Sequence, residues 1–259
     1  MLSKQRQIEI TEYILKEGKA YVTNLANTYN VSTETIRRDL NEICKNEKIK
    51  KVHGGAISIS RPFREESYEK RLSNNYEEKT AIAKCCAKYI KDNDIIAIDN
   101  GSNAECLANE IFGVKNIKII TNSIPVASIL IKKYENGDFT GEIILIGGKL
   151  DIENQCGTET LAILCANKLF IDKAFIGATG ISQHGITSWD DKLGMVTELI
   201  IKNSGQTYIL AESEKFTRTS FYKICEFSQI EKIITDDKNR INQNIIDAIG
   251  KEKIEYAKV

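Results

Sequence analysis

"VSTETIRRDLNEICKNEKIKKVHGGAI", residues 31–57, sets two adjacent arginines, a run of lysines and a diglycine into one short stretch. Ser32 is a helix N-cap residue, and behind it Ile36, Leu40 and Ile43 fall at i, i+4 and i+7, a single apolar stripe. With that stripe inward, Glu34, Arg38, Asn41 and Lys45 face outward, flanked by Thr35 and Arg37. Ile49 and Val52, followed by Gly54-Gly55 and Ile57, predict two short strands joined by a tight glycine turn. Upstream, Ile10, Ile14 and Leu15 give a helix from about Arg6 to Lys16, closed by Gly18. Thr23 caps a short second helix, "NLANTYN", with Leu25 and Ala26 inward. Two helices joined by "YNVS" and followed by a hairpin have the order of a winged helix-turn-helix.

A DNA major groove admits such a helix, and an arginine bonded to a guanine edge supplies roughly 1–3 kcal/mol of discrimination. Arg37, Arg38 and Asn41 are therefore candidate base or phosphate contacts. Thr33 and Thr35, in the first turn, reach a phosphate or a thymine methyl. Lys48, Lys50 and Lys51 on the wing, with His53 beside them, are placed for the sugar-phosphate backbone. On an isolated helix, adjacent arginines are mostly solvated charges paired with a carboxylate such as Asp39 or Glu42. The helix-turn-helix frame favours the groove instead. Charge alone decides nothing: residues 1–60 hold 10 Lys+Arg against 7 Asp+Glu, net +3, and the remainder 26 against 29, net −3. A strong nucleic-acid binder usually shows more asymmetry.

With 259 residues, 42% hydrophobic and 28% charged, the chain has the composition of a soluble globular protein. No apolar run approaches the roughly 20 residues of a membrane span, and the polar start "MLSKQRQIEI" lacks a signal-peptide core. Cytoplasmic residence is expected. Seven cysteines (44, 85, 86, 106, 156, 165, 225) are scattered without a C-x-x-C pair, and the chain has two histidines. Reduced, mostly buried thiols are expected, with no metal site and no cofactor.

The chain divides on paper into a head, 1–59, a polar linker, 60–75, and a body, 76–259. In the body, short apolar runs at 94–99, 117–121, 142–148, 173–180, 207–212 and 231–235 alternate with helical stretches at 79–91, 103–112, 124–134, 191–203 and 241–249. That alternation predicts an α/β domain with a mainly parallel sheet. Ligands collect at the carboxyl ends of strands in such sheets. The strand-end loops here are "DNGSNAE" (99–105), "TNS" (121–123), "GGKLD" (147–151), "GATGIS" (177–182) and "AESEKF" (211–216). Gly101 permits a tight turn, and Ser102 and Asn103 open a helix whose free N–H groups attract an anion. Taken singly, a glycine-containing strand-helix turn is more often structural. Five in succession, rich in hydroxyls, amides and glycines with one lysine, suit a phosphorylated polyol.

Two sets of motifs carry a family resemblance. Arg6, Ile10 and Ile14 at four-residue spacing, followed by "STETIRRDL" and the wing "HGGA" (53–56), resemble the signature of the DeoR family of bacterial transcriptional regulators. Glu47 stands where that family commonly has glycine, and Lys51 where it often has arginine. From about Tyr76 to Asp236 the chain is similar to the family's effector domain, which shares its fold with ribose-5-phosphate isomerase-like proteins. The resemblance implies an effector site at Asp99, Gly101, Ser102 and Asn103, which match a "D-x-G-[ST]-T" loop. It extends that site to Thr121, Asn122, Gly147, Gly148, Gly177, Gly180 and Lys215, the last followed by Phe216. Glu212 replaces a common aspartate, and Thr217 a glycine. In "WDDKLGMVTELIIK", Thr197 and Glu198 occupy positions where members often carry Lys-Arg. Lys192 is a possible substitute cation, though an ordinary surface lysine is the better reading, and Trp189 is a candidate sugar-stacking or core residue.

The implied function is a DNA-binding regulator, in most members a repressor, that responds to a phosphorylated sugar and works as a homo-oligomer on a double-stranded operator. Two other classes compete. A sugar-phosphate isomerase-like enzyme would use Asp99, Asp190 or Glu212 as base and Lys215 as the carbonyl-polarising cation, with His184 in a solvent-facing turn. A protein-interaction module would use the head to bind another protein, and its DNA affinity would not fall with salt as phosphate contacts require.

Overall fold

The computed structural model describes residues 3–17, 19–45, 49–52, 54–58, 67–237 and 241–258. The chain forms two compact units, Met1–Arg64 and Glu65–Val259, each built on its own core.

The first unit holds helix α1 (Ser3–Glu17), strand β1 (Lys19–Tyr21), helices α2 (Val22–Tyr29) and α3 (Thr33–Ile43), and strands β2 (Ile49–Val52) and β3 (Gly55–Ser58). Ile10, Ile14, Leu25, Ile36, Leu40, Ile43 and Ile49 interlock in its core. The α3 stripe therefore faces inward, as its spacing predicts. Ser32 caps α3 by accepting from the Thr35 N–H at 3.2 Å. Thr23 is not a cap: α2 starts one residue earlier, with Tyr21 in the N-cap position, so the chain passes from strand to helix without a polar stop. Asn30, left-handed at φ 50°, turns the chain between α2 and α3. The hairpin β2–β3 forms, and β1, not foreseen, pairs antiparallel with β3. That third strand explains the diglycine. Gly54 takes the turn at φ +81°, and a Cβ on Gly55 would lie 2.1 Å from the Ala20 carbonyl oxygen. Gly18, Glu47, Lys48 and His53 lie outside the described residues.

The second unit begins with helices α4 (Tyr68–Ser73) and α5 (Tyr76–Ala87), and the first of these makes the polar stretch before the body helical in part. There follow β4 (Ile95–Ile98), α6 (Ser102–Asn109), β5 (Ile117–Thr121), α7 (Ile124–Glu135) and β6 (Gly141–Leu145). A small excursion, β7 (Lys149–Asp151), β8 (Cys156–Thr158) and α8 (Glu159–Ala166), leads to β9 (Ile171–Gly177). Then come β10 (Gly180–Ser182), β11 (Gly185–Ser188), α9 (Asp191–Lys202), β12 (Ser204–Leu210), β13 (Tyr222–Cys225), β14 (Lys232–Thr235), α10 (Gln243–Ile249) and β15 (Ile254–Tyr256).

Among the described residues, seven strands make one sheet in the order β15-β14-β12-β9-β4-β5-β6, and every pairing in it is parallel. Two apolar clusters, one with Ile176, Ile209 and Ile233 and the other with Ile96, Phe175 and Leu210, take alternate residues of these strands. Both faces are thus covered, which is why the strands read as continuous apolar runs. The six expected strands are all present. The antiparallel additions β7–β8 and β10–β11–β13 were not foreseen, because their three- or four-residue strands carry too few residues to show a period.

From β4 the chain builds outward through β5 and β6, then returns to place β9 on the other side of β4. The strand order reverses between β4 and β9, and the crevice beyond their carboxyl ends is where open parallel sheets bind ligands.

Candidate functional site

In the head, α3 presents Thr33, Glu34, Arg37, Arg38, Asn41 and Glu42 to solvent, and Lys45 beyond its end is exposed too. The carboxylates pair with cations close in sequence: Glu34 lies 3.5 Å from Arg37, and Glu42 2.7 Å from Lys45, just past the end of α3. Exposed pairs of this kind contribute little and break readily. Asp39, one of the alternative partners for the arginines, faces inward instead. It accepts from Arg6 Nε at 2.6 Å, Gln7 Nε2 at 2.9 Å and Ser3 Oγ at 3.1 Å. Burial alone would raise its pKa, but these hydrogen bonds and the Arg6 charge hold the carboxyl below its usual value. The pair fastens α3 to α1. Thr35 is half-buried and bonded to the Ser32 hydroxyl at 2.9 Å, so its side chain completes the cap, while Thr33 stays exposed. Lys50 and Lys51 are exposed on β2, and Lys51 Nζ donates to Asn41 Oδ1 at 2.6 Å.

In the body, the crevice at the β4/β9 reversal is a polar cleft open to solvent. Six of the eleven residues nominated from the sequence line it: Asp99, Gly101, Ser102, Asn103, Gly177 and Lys215. They come from the ends of β4, β9 and β12, which are consecutive in the sheet.

Gly101, at φ +109°, stands at the N-cap of α6 and offers no side-chain cap, so the helix start is left open toward the cleft. Asn103 is buried. Its Nδ2 donates to Glu212 Oε2 at 3.0 Å, while its Oδ1 has no partner among the described residues. An unpartnered buried acceptor facing a polar cleft is disfavoured unless a ligand or water donates to it.

Glu212 also meets Lys79 Nζ at 3.1 Å. Burial opposes its charge, yet Lys215, Lys79 and the Asn103 amide outweigh burial and keep its pKa below the usual range. Lys79 also donates to the carbonyls of Arg71 (2.6 Å) and Asn74. All three ammonium hydrogens are thereby used, and Lys79 serves as the strut that holds the α4–α5 turn over the cleft. Lys215, 3.7 Å from Glu214, faces the cleft with a looser ion pair.

Asp99 is buried and accepts from the Thr197 hydroxyl at 3.3 Å and from the backbone N–H groups of Asn100 and Gly177. Burial outweighs these bonds and pushes its pKa up to about 6. The positions of the Lys-Arg departure resolve here: Thr197 sits on Asp99, while Glu198 is exposed and bonded to the Tyr222 hydroxyl at 2.5 Å. A lysine at 197 would neutralise Asp99, and the threonine leaves that carboxyl with hydrogen bonds and no cation among the described residues. Lys192 lies elsewhere, exposed and 3.1 Å from Glu159.

The other five nominated residues are not in the cleft lining. Thr121 and Asn122 end β5 on the far side of β4. The Thr121 carbonyl accepts from the Ile146 N–H at 2.7 Å, and Asn122 Nδ2 donates to the Gly157 carbonyl at 3.1 Å. Gly147 and Gly148 lead into β7, and Gly180 pairs with Thr187 in β10. Arg71, Asn74, Asn75, Lys79 and Thr179 line the cleft without having been nominated. The first three belong to a segment too polar for a sequence pattern to place. Their only signal was the basic and amide-rich run "KRLSNN" just before a helix. Trp189 lines the cleft half-buried, and Asp190, a candidate base, instead caps α9 by accepting from the Leu193 N–H at 2.9 Å.

The cysteines are all free, and no group of His, Cys, Asp and Glu suited to a metal occurs among the described residues. No helix among them is long and apolar enough to cross a membrane.

Two family profiles match: a DeoR-like helix-turn-helix domain over residues 6–62 and a DeoR C terminal sensor domain over residues 74–237. The HTH-type transcriptional repressor GlcR of Bacillus subtilis (strain 168) is 32% identical over 98% of this chain and 96% of its own. The lactose phosphotransferase system repressor of Lactococcus lactis subsp. lactis is 31% identical over 92% of each chain. A solved D-ribose-5-phosphate isomerase in complex with phospho-erythronic acid superposes on 55% of each chain with 17% identity and a TM-score of 0.39, too low to establish a shared fold.

Proposed function

The chain belongs to the DeoR family of transcriptional regulators, and from that premise we propose that it represses transcription until a phosphorylated sugar occupies the cleft at the β4/β9 reversal. The head reads a double-stranded operator with α3 in the major groove and β2 along the backbone. Two heads are needed for two half-sites, so the working form is a homo-oligomer. The cleft sets the state: a ligand that binds one arrangement more tightly shifts the population by its differential affinity and by no more.

The observation that carries this reading is the convergence in one cleft of an open helix N-terminus, the Lys215 cation and the unpartnered Asn103 oxygen. A phosphate fits the first two, because helix N–H groups and a lysine attract the same anion. A sugar hydroxyl fits the third, since the Asn103 oxygen accepts what a hydroxyl donates. The non-catalytic reading rests on the carboxylates. Glu212 is committed to Lys79 and Asn103, and Asp190 to a helix cap. Asp99 accepts from the Thr197 hydroxyl and from the Asn100 and Gly177 N–H groups.

The test is Trp189 emission, since the chain has one tryptophan and it lines the cleft. Ribose 5-phosphate, glucose 6-phosphate, fructose 1-phosphate, their unphosphorylated sugars and inorganic phosphate are titrated in turn, with turnover assayed in parallel. A saturable change with a phosphorylated sugar, together with loss of DNA binding at the same concentration, supports the proposal. Product formation beyond the amount of protein would overturn it.

A further inference from the structure

Helix α8 is packed inside out, and this bears on how two chains join. Its stretch "LAILCA" (161–166) is six apolar residues in a row, and a helix apolar all round belongs in an interior. Yet the chain covers only one side of it. Ala162 and Ala166 are fully buried, in the cluster that holds Ile120 and Val196, whereas Leu161 and Leu164, one turn apart, are each more than half exposed. The small side chains face the core and the large ones face water, the reverse of what hydrophobic burial favours in a lone chain.

The outward stripe has neighbours of the same kind. α8 packs against β7, and Lys149 of β7 reaches Glu159, the first residue of α8, at 3.0 Å. Leu150, next along β7, is half exposed, and Ile152 just beyond the strand is 81% exposed. At the other end, four residues past α8, Phe170 is 89% exposed. With roughly 150–200 Å² on a fully open side chain of this size, the five expose on the order of 600 Å². Monomers seldom carry more apolar surface than this in one patch. One side of a standard stable interface buries roughly 800 Å², of which about 450 Å² is apolar. The α8 face holds enough for a stable dimer.

The occupant is a second copy of the same chain. The segments outside the described residues, chiefly 46–48, 59–66 and 238–240, bring two large apolar side chains, Ile59 and Phe63, too few to cover five. A two-fold axis, by contrast, sets one apolar face against itself and needs no other partner. We propose that the α8 face, centred on Leu161 and Leu164 with Ile152 and Phe170 at its ends, is the surface through which two copies of this chain associate. This inference rests on the two-headed operator reading above and names the contact that supplies the second head. Cys165 lies to one flank of the stripe, at the rim, where an interface stays open to solvent.

The experiment is sedimentation equilibrium of the full chain over a series of concentrations, beside Leu161→Glu/Leu164→Glu, Ile152→Ser/Phe170→Ser and, on a different helix, Ile131→Glu. The unaltered chain should be a dimer or a multiple of one. The leucine pair should weaken self-association by about thirtyfold or more, the loss of a central hot spot, and lower the mass to a monomer or a half-sized oligomer with Trp189 emission unchanged. Ile131→Glu, at an exposed residue of α7, should leave association as it was. Ile152→Ser/Phe170→Ser alters side chains that are mostly in water already, so it keeps the fold and decides the matter if the leucine pair misfolds. Self-association kept in both α8 variants, or lost to the same degree in Ile131→Glu, would overturn the proposal and leave the two-headed reading intact. An unaltered chain that is monomeric at every concentration would also overturn the proposal, and one that in addition binds its operator as a single chain would overturn both.

Discussion

Replacing Asp99 by asparagine should stabilise the body at neutral pH and lose that advantage in acid. Asp99 is 5% exposed, and its pKa is pushed up to about 6 from the 3.8 of a free side chain, chiefly by burial. A carboxyl raised in this way binds its proton more tightly folded than unfolded. Stability linked to it is fully present below the unfolded value and is lost as pH rises through the folded one. Across that interval, at roughly 1.4 kcal/mol per pH step, the ionised form is disfavoured by about 3 kcal/mol at pH 7.5. Asparagine avoids that charge but has one carbonyl oxygen for the Thr197 hydroxyl and the Asn100 and Gly177 N–H groups. A lost acceptor is worth on the order of 1 kcal/mol, which leaves a net gain of about 1–2 kcal/mol at pH 7.5. Near pH 4, where the aspartate is already protonated, the gain should disappear. Urea unfolding followed by Trp189 emission reports on the second unit, which holds the chain's one tryptophan. A difference between the two proteins that is constant from pH 4.5 to 8, or an asparagine variant that is the weaker of the two at pH 8, would refute the reasoning.

Further outcomes follow from the same geometry. Arg38→Ala should weaken specific DNA binding by about tenfold, the share of one good guanine contact, and leave the Trp189 response to ligand unchanged in a fluorescence titration. Lys215→Ala should do the reverse, with normal mobility shift but a blunted release of DNA by sugar phosphate. Asp39→Ala strands the buried Arg6 guanidinium and should destabilise the first unit by about 3–5 kcal/mol, seen as faster amide exchange in α1 and α3 with no change in the body. Among the thiols, Cys165 is the exposed one, whereas burial raises the pKa of Cys86, Cys106, Cys156 and Cys225. One equivalent of a thiol reagent should therefore react with the native protein at Cys165 well before the rest.

The legible parts of this molecule are those where a period or a motif had room to show itself. Ile36, Leu40 and Ile43 gave the buried stripe of α3, and the six apolar runs gave the parallel strands, because burial on one helical face or on both sheet faces writes directly into residue order. The cleft was legible only in part. Residues 99–103, 177 and 215 end neighbouring strands and meet, but the loops at 121–122 and 147–148 look alike in sequence and end strands on the far side of β4. Strand order, which separates the two groups, is a long-range pairing that no local pattern encodes. Lys79 was hidden for another reason. A lysine inside a helix reads as a solvated charge, and its burial at 2% exposure depends on acceptors at Arg71, Asn74 and Glu212 that only the folded chain brings to it. The wing's first strand, β1, was missed because three residues cannot display alternation.

The reversal of strand order also sets a timetable for synthesis. Among the described residues, the core of the helix-turn-helix unit lies between Ile10 and Ala56, so it can close soon after leaving the ribosome. The cleft has no floor until β9 arrives beside β4, with Asp99 taking its bond from Gly177, and its rim needs Glu212 and Lys215 later still. Parallel pairings across such separations form slowly, and domains mature from the N-terminus during translation. A newborn molecule thus completes its helix-turn-helix unit first, and the full lining of the cleft is among the last things the chain assembles.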